Sequence, residues 1–382
     1  MSNGAIMELE LVKFIRKNAD WENLLQQKPY CLTISRDNLL GKNLIMFKYS
    51  QIDSDFSQEI VKESRGLILE EGTWEIVSYP FRKFMNYGEP TADQIDWNTV
   101  TVTEKVDGSL MKIVRLGNDL LISTNGTIDA FKAPIPEQVG CKYSSFGELA
   151  LDILKARLGE NYVDKFQENE TYMFELVSPW TRVVIPYAES DLYFLGVRNN
   201  RSLQERSFMG ESLPALFKTP KVYSFSSFED CVQNASQLPW DAEGYVVNDA
   251  NFNRVKVKSV AWIQVHHLKD NGGVLSYARC LELIRMNEVG EVLNYFPEFK
   301  DAFQKVEDVY DKFVGQDEAA WEYLCQEFDL ENTPRKDLAI WIQKNFNLPG
   351  VGFAMLDKKV SSVKEWYQNC NIDKLVGWLG FK

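Results

Sequence analysis

Glu104-Lys105-Val106-Asp107-Gly108-Ser109-Leu110 is the stretch on which the fold turns. A strand reaches Lys105, Asp107-Gly108 forms a tight turn, and a second strand leaves from Ser109. Gly108 permits close approach of the backbone to a ligand. A lysine at a strand end is a candidate nucleophile, because an amine without its proton attacks phosphorus readily. At neutral pH that amine is normally charged, so the chemistry asks for neighbouring cations or a metal. The Lys-x-Asp-Gly pattern is short, and an exposed lysine before a hairpin turn fits it equally well.

Working outward, short β-prone runs recur at 43–49, 66–69, 100–104, 109–116, 120–124, 171–177, 192–197, 244–248 and 254–258. Gly117-Asn118-Asp119 marks a hairpin turn. Upstream, Leu9, Val12, Phe14, Ile15, Trp21, Leu24 and Leu25 have helical spacing, predicting a helix over 8–26 that breaks near Asn18. Residues 145–158 are a further helix. Beyond about Val265 the strand signals stop, and 302–313, 318–327, 334–345 and 363–379 are expected helices. The prediction is an α+β protein. An antiparallel-sheet domain over 1–264 is followed by an all-α domain over 265–382, joined near 265–273 where Gly272-Gly273 gives a flexible joint.

Two acids and two lysines in the sheet domain join Lys105. Glu175 lies inside the apolar run Tyr172-Met173-Phe174-Glu175-Leu176-Val177, and Glu243 stands at the mouth of Gly244-Tyr245-Val246-Val247. Lys256 and Lys258, two apart on one strand, share a face. Paired cations suit a triphosphate and the suppression of a lysine's charge. Singly, each residue also suits a solvated strand face; the joint order Lys, Glu, Glu, Lys-x-Lys is far less common by chance.

Composition removes other chemistries. Only His266 and His267 are histidines among 382 residues, so a histidine metal cage is excluded. Cys31, Cys141, Cys231, Cys280, Cys325 and Cys370 are scattered with no Cys-x-x-Cys pair, which predicts thiols in a reducing compartment rather than disulfides or a zinc ribbon. No apolar run approaches the roughly 20 residues of a bilayer span. The net charge of −13 argues against broad coating of nucleic acid, but not against one basic groove. The expectation is a soluble, cytoplasmic, monomeric protein without a membrane partner.

These residues resemble the covalent nucleotidyltransferase superfamily of ligases and mRNA capping enzymes. Residues 105–108 look like its motif I, Glu175 motif III, 192–197 motif IIIa, 243–247 motif IV and 255–258 motif V. The ending Asp-Gly-Ser-Leu is similar to the bacteriophage RNA ligase 1 family, that of the T-even phage tRNA-repair ligase. Glu63-Ser64-Arg65-Gly66, Arg82-Lys83-Phe84-Met85-Asn86 and Phe47-Lys48-Tyr49 resemble further elements of that family. A DNA ligase or mRNA guanylyltransferase is the alternative within enzymes; both usually append a β-barrel, whereas this chain continues into helices. A degenerate RNA-binding protein of the same fold is the alternative outside them.

The resemblance implies an ATP-dependent RNA ligase that joins 5′-phosphate and 3′-hydroxyl ends through lysyl-AMP and adenylated RNA. Mg²⁺, or Mn²⁺ in its place, would be the metal. RNA repair is the implied role, with a tRNA broken in its anticodon loop as one substrate and the cytoplasm of a bacteriophage host as its location. By the same carry-over Lys105 takes AMP. Arg65 and Lys83 hold phosphates, and Lys256 and Lys258 contact the α-phosphate. Tyr49, Glu104, Val106 and Gly108 lie near the nucleotide, and Leu195 or Val246 packs on adenine. Glu175 binds ribose or a metal-bound water, while Glu243 and Asp107 orient hydrated Mg²⁺. Ser109 and Trp262 fall to RNA binding and ligation. The family carries a Lys-x-Lys-Gly element where this chain has Ser123-Thr124-Asn125-Gly126, offering phosphate hydroxyls and an amide without formal charge. Glu291 is the implied metal contact in the helical domain, a domain that the resemblance associates with RNA choice.

Overall fold

The computed structural model describes residues 8–381, apart from 52, 212, 268–274, 296 and 331. The proposed glycine joint at 272–273 lies outside the described residues. The chain forms two compact units, Met1–His266 and His267–Lys382.

The first unit carries fourteen strands. They are β1 (Leu32–Leu39), β2 (Lys42–Tyr49), β3 (Arg65–Glu70), β4 (Ile76–Ser78), β5 (Met85–Asn86), β6 (Thr101–Glu104) and β7 (Ser109–Leu116). Then come β8 (Asp119–Thr124), β9 (Glu170–Val177), β10 (Asp191–Asn199), β11 (Glu205–Ser207), β12 (Val222–Tyr223), β13 (Gly244–Asn248) and β14 (Arg254–Lys258). They make three sheets, ordered β1-β2-β3-β4, β11-β10-β9-β7-β8 and β12-β6-β13-β14-β5. Every pairing is antiparallel except that of the short β5 with β14. The mixed α+β class with antiparallel sheets and a helical C-terminal region is thus the observed one.

Period-two alternation explains the third sheet. Val102, Tyr245, Val247, Val255 and Val257 point to one face and pack in a core with Cys231 and Ala235 of helix Phe228–Ser236. Each such buried side chain contributes roughly 1.5–3 kcal/mol. The other face is left to Thr101, Thr103, Val246, Asn248, Arg254, Lys256 and Lys258. The second sheet packs Met111, Ile113, Phe174, Leu176 and Phe194 against helix Phe146–Leu158. The opening helix breaks at Asn18 into Glu10–Lys17 and Trp21–Gln26. Its first amides, of Glu10 and Leu11, are capped from a distance by the Glu63 carboxylate at 3.0 and 2.9 Å.

In the second unit no strand occurs among the described residues. The helices expected at 302–313 and 318–327 are one continuous helix, Lys300–Glu327. Gly315 in its middle costs only about 1 kcal/mol relative to alanine, too little to end it. Conversely the helix expected over 363–379 is two, Val363–Asn369 and Ile372–Trp378. Asn371 restarts it by accepting from the Lys374 amide at 3.0 Å. No helix is long and apolar enough to cross a membrane among the described residues, and none of the six cysteines forms a disulfide.

Candidate functional site

Backbone hydrogen bonds fix the position of Lys105. Its amide donates to the Gly244 carbonyl at 2.8 Å, and that of Glu104 donates to the Lys221 carbonyl at 2.8 Å. The turn that follows is pressed against β9. A Cβ on Gly108 would lie 2.4 Å from the Leu176 carbonyl oxygen and 3.0 Å from Glu175 Cγ, so only glycine fits there. Asp107 is buried, and its Oδ2 accepts from the amides of Val184 and Ile185 at 2.9 and 2.7 Å. The Lys-x-Asp-Gly pattern is therefore also a packing device that sets Lys105 beside two acidic strands.

Lys105 Nζ meets Glu243 Oε1 at 2.7 Å on the wall of a cavity of about 310 Å³. The cavity's charged lining is six cations, Arg65, Lys83, Lys105, Arg254, Lys256 and Lys258, against three carboxylates, Glu104, Glu175 and Glu243. A chain of net charge −13 thus has a site with three more positive than negative groups. An aromatic ring helps to hold the like charges together. Arg65, Arg254 and Lys256 lie 5.5, 5.6 and 5.8 Å from the centre of the Phe84 ring. Lys83 sits 5.2 Å from the rings of both Tyr49 and Phe56. Behind Arg254, Glu205 bridges it to Arg198, whose Nη2 is 2.6 Å from Glu205 Oε2.

The acids feel their surroundings. Burial pushes the Glu175 carboxyl up to about 7, with the Lys105 ammonium opposing. Its accessible surface is still partial, because one side faces the cavity. Burial likewise raises Glu243, against the pull of Lys105 and Lys258. A raised carboxyl beside cations marks a site where charge is held away from water.

Of the residues singled out in the sequence, Tyr49, Arg65, Lys83, Glu104, Lys105, Val106, Gly108, Asn125, Glu175, Leu195, Glu243, Val246, Lys256 and Lys258 all line this cavity. Others do not. Asp107 is turned to the 184–185 backbone, and Ser109 is outside the lining. Ser123 is wholly buried, and Trp262 is 2% exposed beneath Lys258, whose Nζ lies 4.7 Å from its ring. Thr124 spends its hydroxyl on the amides of Gly126 and Thr127. Packing turns Ser123 and Trp262 inward, while Thr124 at the end of β8 stays half-buried. Glu291 belongs to helix Val289–Tyr295 of the second unit, and its side chain lies outside the described residues.

The sequence reading missed Arg254, Phe84, Thr101, Thr103 and Asn248. The alternation that picked Lys256 and Lys258 extends two residues back to Arg254, and the signal was available. Phe84 lay inside a quoted element, but nothing local marks an aromatic as a seat for three cations. No group of three or more His, Cys, Asp or Glu side chains suited to a metal occurs among the described residues.

Known proteins are similar to this chain. The sequence profile of the RNA ligase family matches residues 63–262, which hold Lys105, Glu175, Glu243, Lys256 and Lys258. A protein of Autographa californica nuclear polyhedrosis virus, named for polynucleotide kinase and RNA ligase activities, is 30% identical over 299 residues. The match covers 73% of this chain and 41% of that protein, so the chain spans less than half of that relative. An RNA ligase of Rhodothermus phage RM378 is 21% identical over 369 residues, 80% of this chain and 82% of its own. Among solved structures, an archaeal ATP-dependent RNA ligase aligns over 91% of this chain and 80% of its own, with 10% identity and a TM-score of 0.47.

Proposed function

The chain belongs to the RNA ligase family, and from that membership we propose that it joins RNA ends using ATP, with Lys105 as the carrier of AMP. The observation that carries this reading is the ion pair of Lys105 with Glu243, 2.7 Å long, in a cavity lined by five further cations.

In the first step Lys105 Nζ attacks the α-phosphorus, the bond to the pyrophosphate oxygen breaks, and the amine loses a proton. Glu243 Oε1 is the nearest acceptor for that proton, and burial has raised its affinity for one. Arg65, Lys83, Arg254, Lys256 and Lys258 neutralise phosphate charge as the bond order shifts. In the second step a 5′-phosphate of RNA displaces Lys105 from AMP. In the third, a 3′-hydroxyl attacks the activated phosphate and AMP leaves. Leu195 and Val246 offer apolar surface to the base, and Tyr49 stands near the phosphate-binding cations.

A metal fits this donor set. Mg²⁺ keeps most of its water and takes one or two carboxylates together with substrate phosphates. Glu175 and Glu243 are two such carboxylates on one cavity. There Mg²⁺, or Mn²⁺, would supply neutralisation of phosphate charge. Repair of broken RNA, including tRNA, is the role that this chemistry suits, and the helical unit is assigned the choice of RNA, since every cavity residue belongs to Met1–His266.

The test is self-labelling. The chain is incubated with Mg²⁺ and α-labelled ATP, then run on a denaturing gel. An acid-labile label is expected, lost by more than about 10³-fold in Lys105→Ala. Labelling from GTP alone would redirect the reading to capping, and preferential sealing of nicked duplex DNA would overturn the RNA substrate.

A further inference from the structure

A second concavity, of about 400 Å³, adjoins the Lys105 cavity and shares Tyr49, Arg65 and Asn125 with it. Its floor is a row across the first sheet. Thr33 of β1 pairs with Lys48 of β2, and Lys48 pairs with Arg65 of β3. The β2–β3 register shifts between Phe47 and Lys48, and with that bulge Thr33, Lys48 and Arg65 all line the pocket, bringing a hydroxyl, an ammonium and a guanidinium to one space. Asn125, just after β8, lines the pocket too, and the neighbouring Gly126 lies close to Lys48, whose Nζ would be 4.0 Å from a Cβ built there.

The pocket's charge is one-sided. Lys48 and Arg65 line it, and no carboxylate does. Lys48 is exposed and makes no ion pair among the described residues. Arg65 Nη1 is buried without a hydrogen-bond partner among the described residues, and it is a donor aimed at no acceptor; Asn125 can offer an anion only its amide nitrogen. An incoming anion would give that buried guanidinium nitrogen the acceptor it lacks. The hairpin end Ser123-Thr124-Asn125-Gly126 carries no charge of its own; the cation beside it is Lys48.

We propose that this pocket receives the terminal 5′-phosphate of the RNA strand, with Lys48 and Arg65 as its cations and Asn125 as its hydrogen-bonding wall. The assignment rests on the reading of Lys105 as the AMP carrier. Because Arg65 and Asn125 border both cavities, a phosphate held here lies next to the AMP phosphorus. Its oxygen attacks that phosphorus, a P–O–P anhydride forms, the N–P bond to Lys105 breaks, and the amine leaves and regains a proton. The same cations would also suit the pyrophosphate end of ATP, and the experiment separates the two.

The chain and its Lys48→Ala variant are first charged with α-labelled ATP, then chased with a 5′-phosphorylated oligoribonucleotide. In Lys48→Ala, AMP transfer at low RNA concentration is expected to fall at least about tenfold further than self-labelling does. Restoring a cation from another lining position, as Lys48→Ala with Asn125→Lys, is expected to recover transfer. Self-labelling that falls as far as transfer, with a matching rise in KM for ATP, would assign the pocket to pyrophosphate and overturn the proposal. Normal transfer by Lys48→Ala would overturn it as well. A wild-type chain that takes no label removes the Lys105 reading and this one with it, and is told apart because it fails before RNA is added.

Discussion

The two units bury charge to different ends. In the helical unit Asp317 is the one buried charged side chain among the described residues. It accepts from the amides of Asn347 and Leu348 at 2.7 and 3.3 Å and from the Tyr367 hydroxyl at 2.8 Å. It is a bracket between segments, with its hydrogen bonds made at home. In the strand-rich unit Glu243, Lys258 and Arg254 are buried too, yet they converge with Glu175 and Lys105 on a cavity. Lys112 behaves as Asp317 does: wholly buried, it donates to the Gly66 carbonyl, and burial lowers its amine to about 7. Burial of charge alone does not mark a reactive site. What marks it is several buried charges whose remaining bonding capacity faces one space.

That contrast predicts a graded series. Removing Lys256 or Lys258, as Lys256→Ala or Lys258→Ala, is expected to slow self-labelling by about 10²–10³-fold. Unfolding midpoints should shift much less, and wild-type rates in either variant would break the contrast on the reactive side. Asp317→Ala should do the reverse, costing about 3 kcal/mol in denaturant unfolding because two amides and a hydroxyl lose their acceptor. Its self-labelling rate should match the wild type, and a labelling defect equal to that of the lysine variants would erase the distinction.

Glu175 gives a subtler test through pH. Its carboxyl stands at about 7 in the folded chain against an ordinary 4.5. Between those values the folded state keeps a proton that the unfolded state has released. Stability therefore falls as pH rises through that window, and the loss is complete above about 7. Glu175→Gln should melt like the wild type near pH 4 and be more stable by about 1–3 kcal/mol at pH 8. Parallel melting curves across the range would show that the carboxyl carries no such penalty. The smallest effect belongs to the surface. Arg335→Ala removes an exposed partner of Asp357 and should change stability by less than about 0.5 kcal/mol. A larger change would mean that exposed pairs of the helical unit carry weight comparable to its buried bracket.

Local periodicity carried the reading far where one strand faced one core. Residues 109–116, 244–248 and 254–258 are strands with those bounds, because apolar residues alternate or cluster in them. Leu32–Leu39 was missed since Thr33, Ser35, Arg36, Asp37 and Asn38 dilute the apolar signal of an edge strand whose burial is partial. The site followed the same rule. Lys105, Glu175 and Glu243 were visible as charges at strand ends or within apolar runs. The burial of Ser123, by contrast, left no mark in the local sequence.

The sequence by itself determined the strand–turn–strand around Lys105, the acids on two apolar strands, the shared face of Lys256 and Lys258, and the change from strands to helices. All of these are local, set by side-chain period and turn chemistry within a few residues. Only the tertiary structure decided that Glu243 meets Lys105, that Phe84 seats three cations, that Asp107 serves backbone amides, and that Thr33, Lys48 and Arg65 form one row. Those facts depend on which strands become neighbours and in what register, and a slip of one residue would send every side chain on a strand to the opposite face.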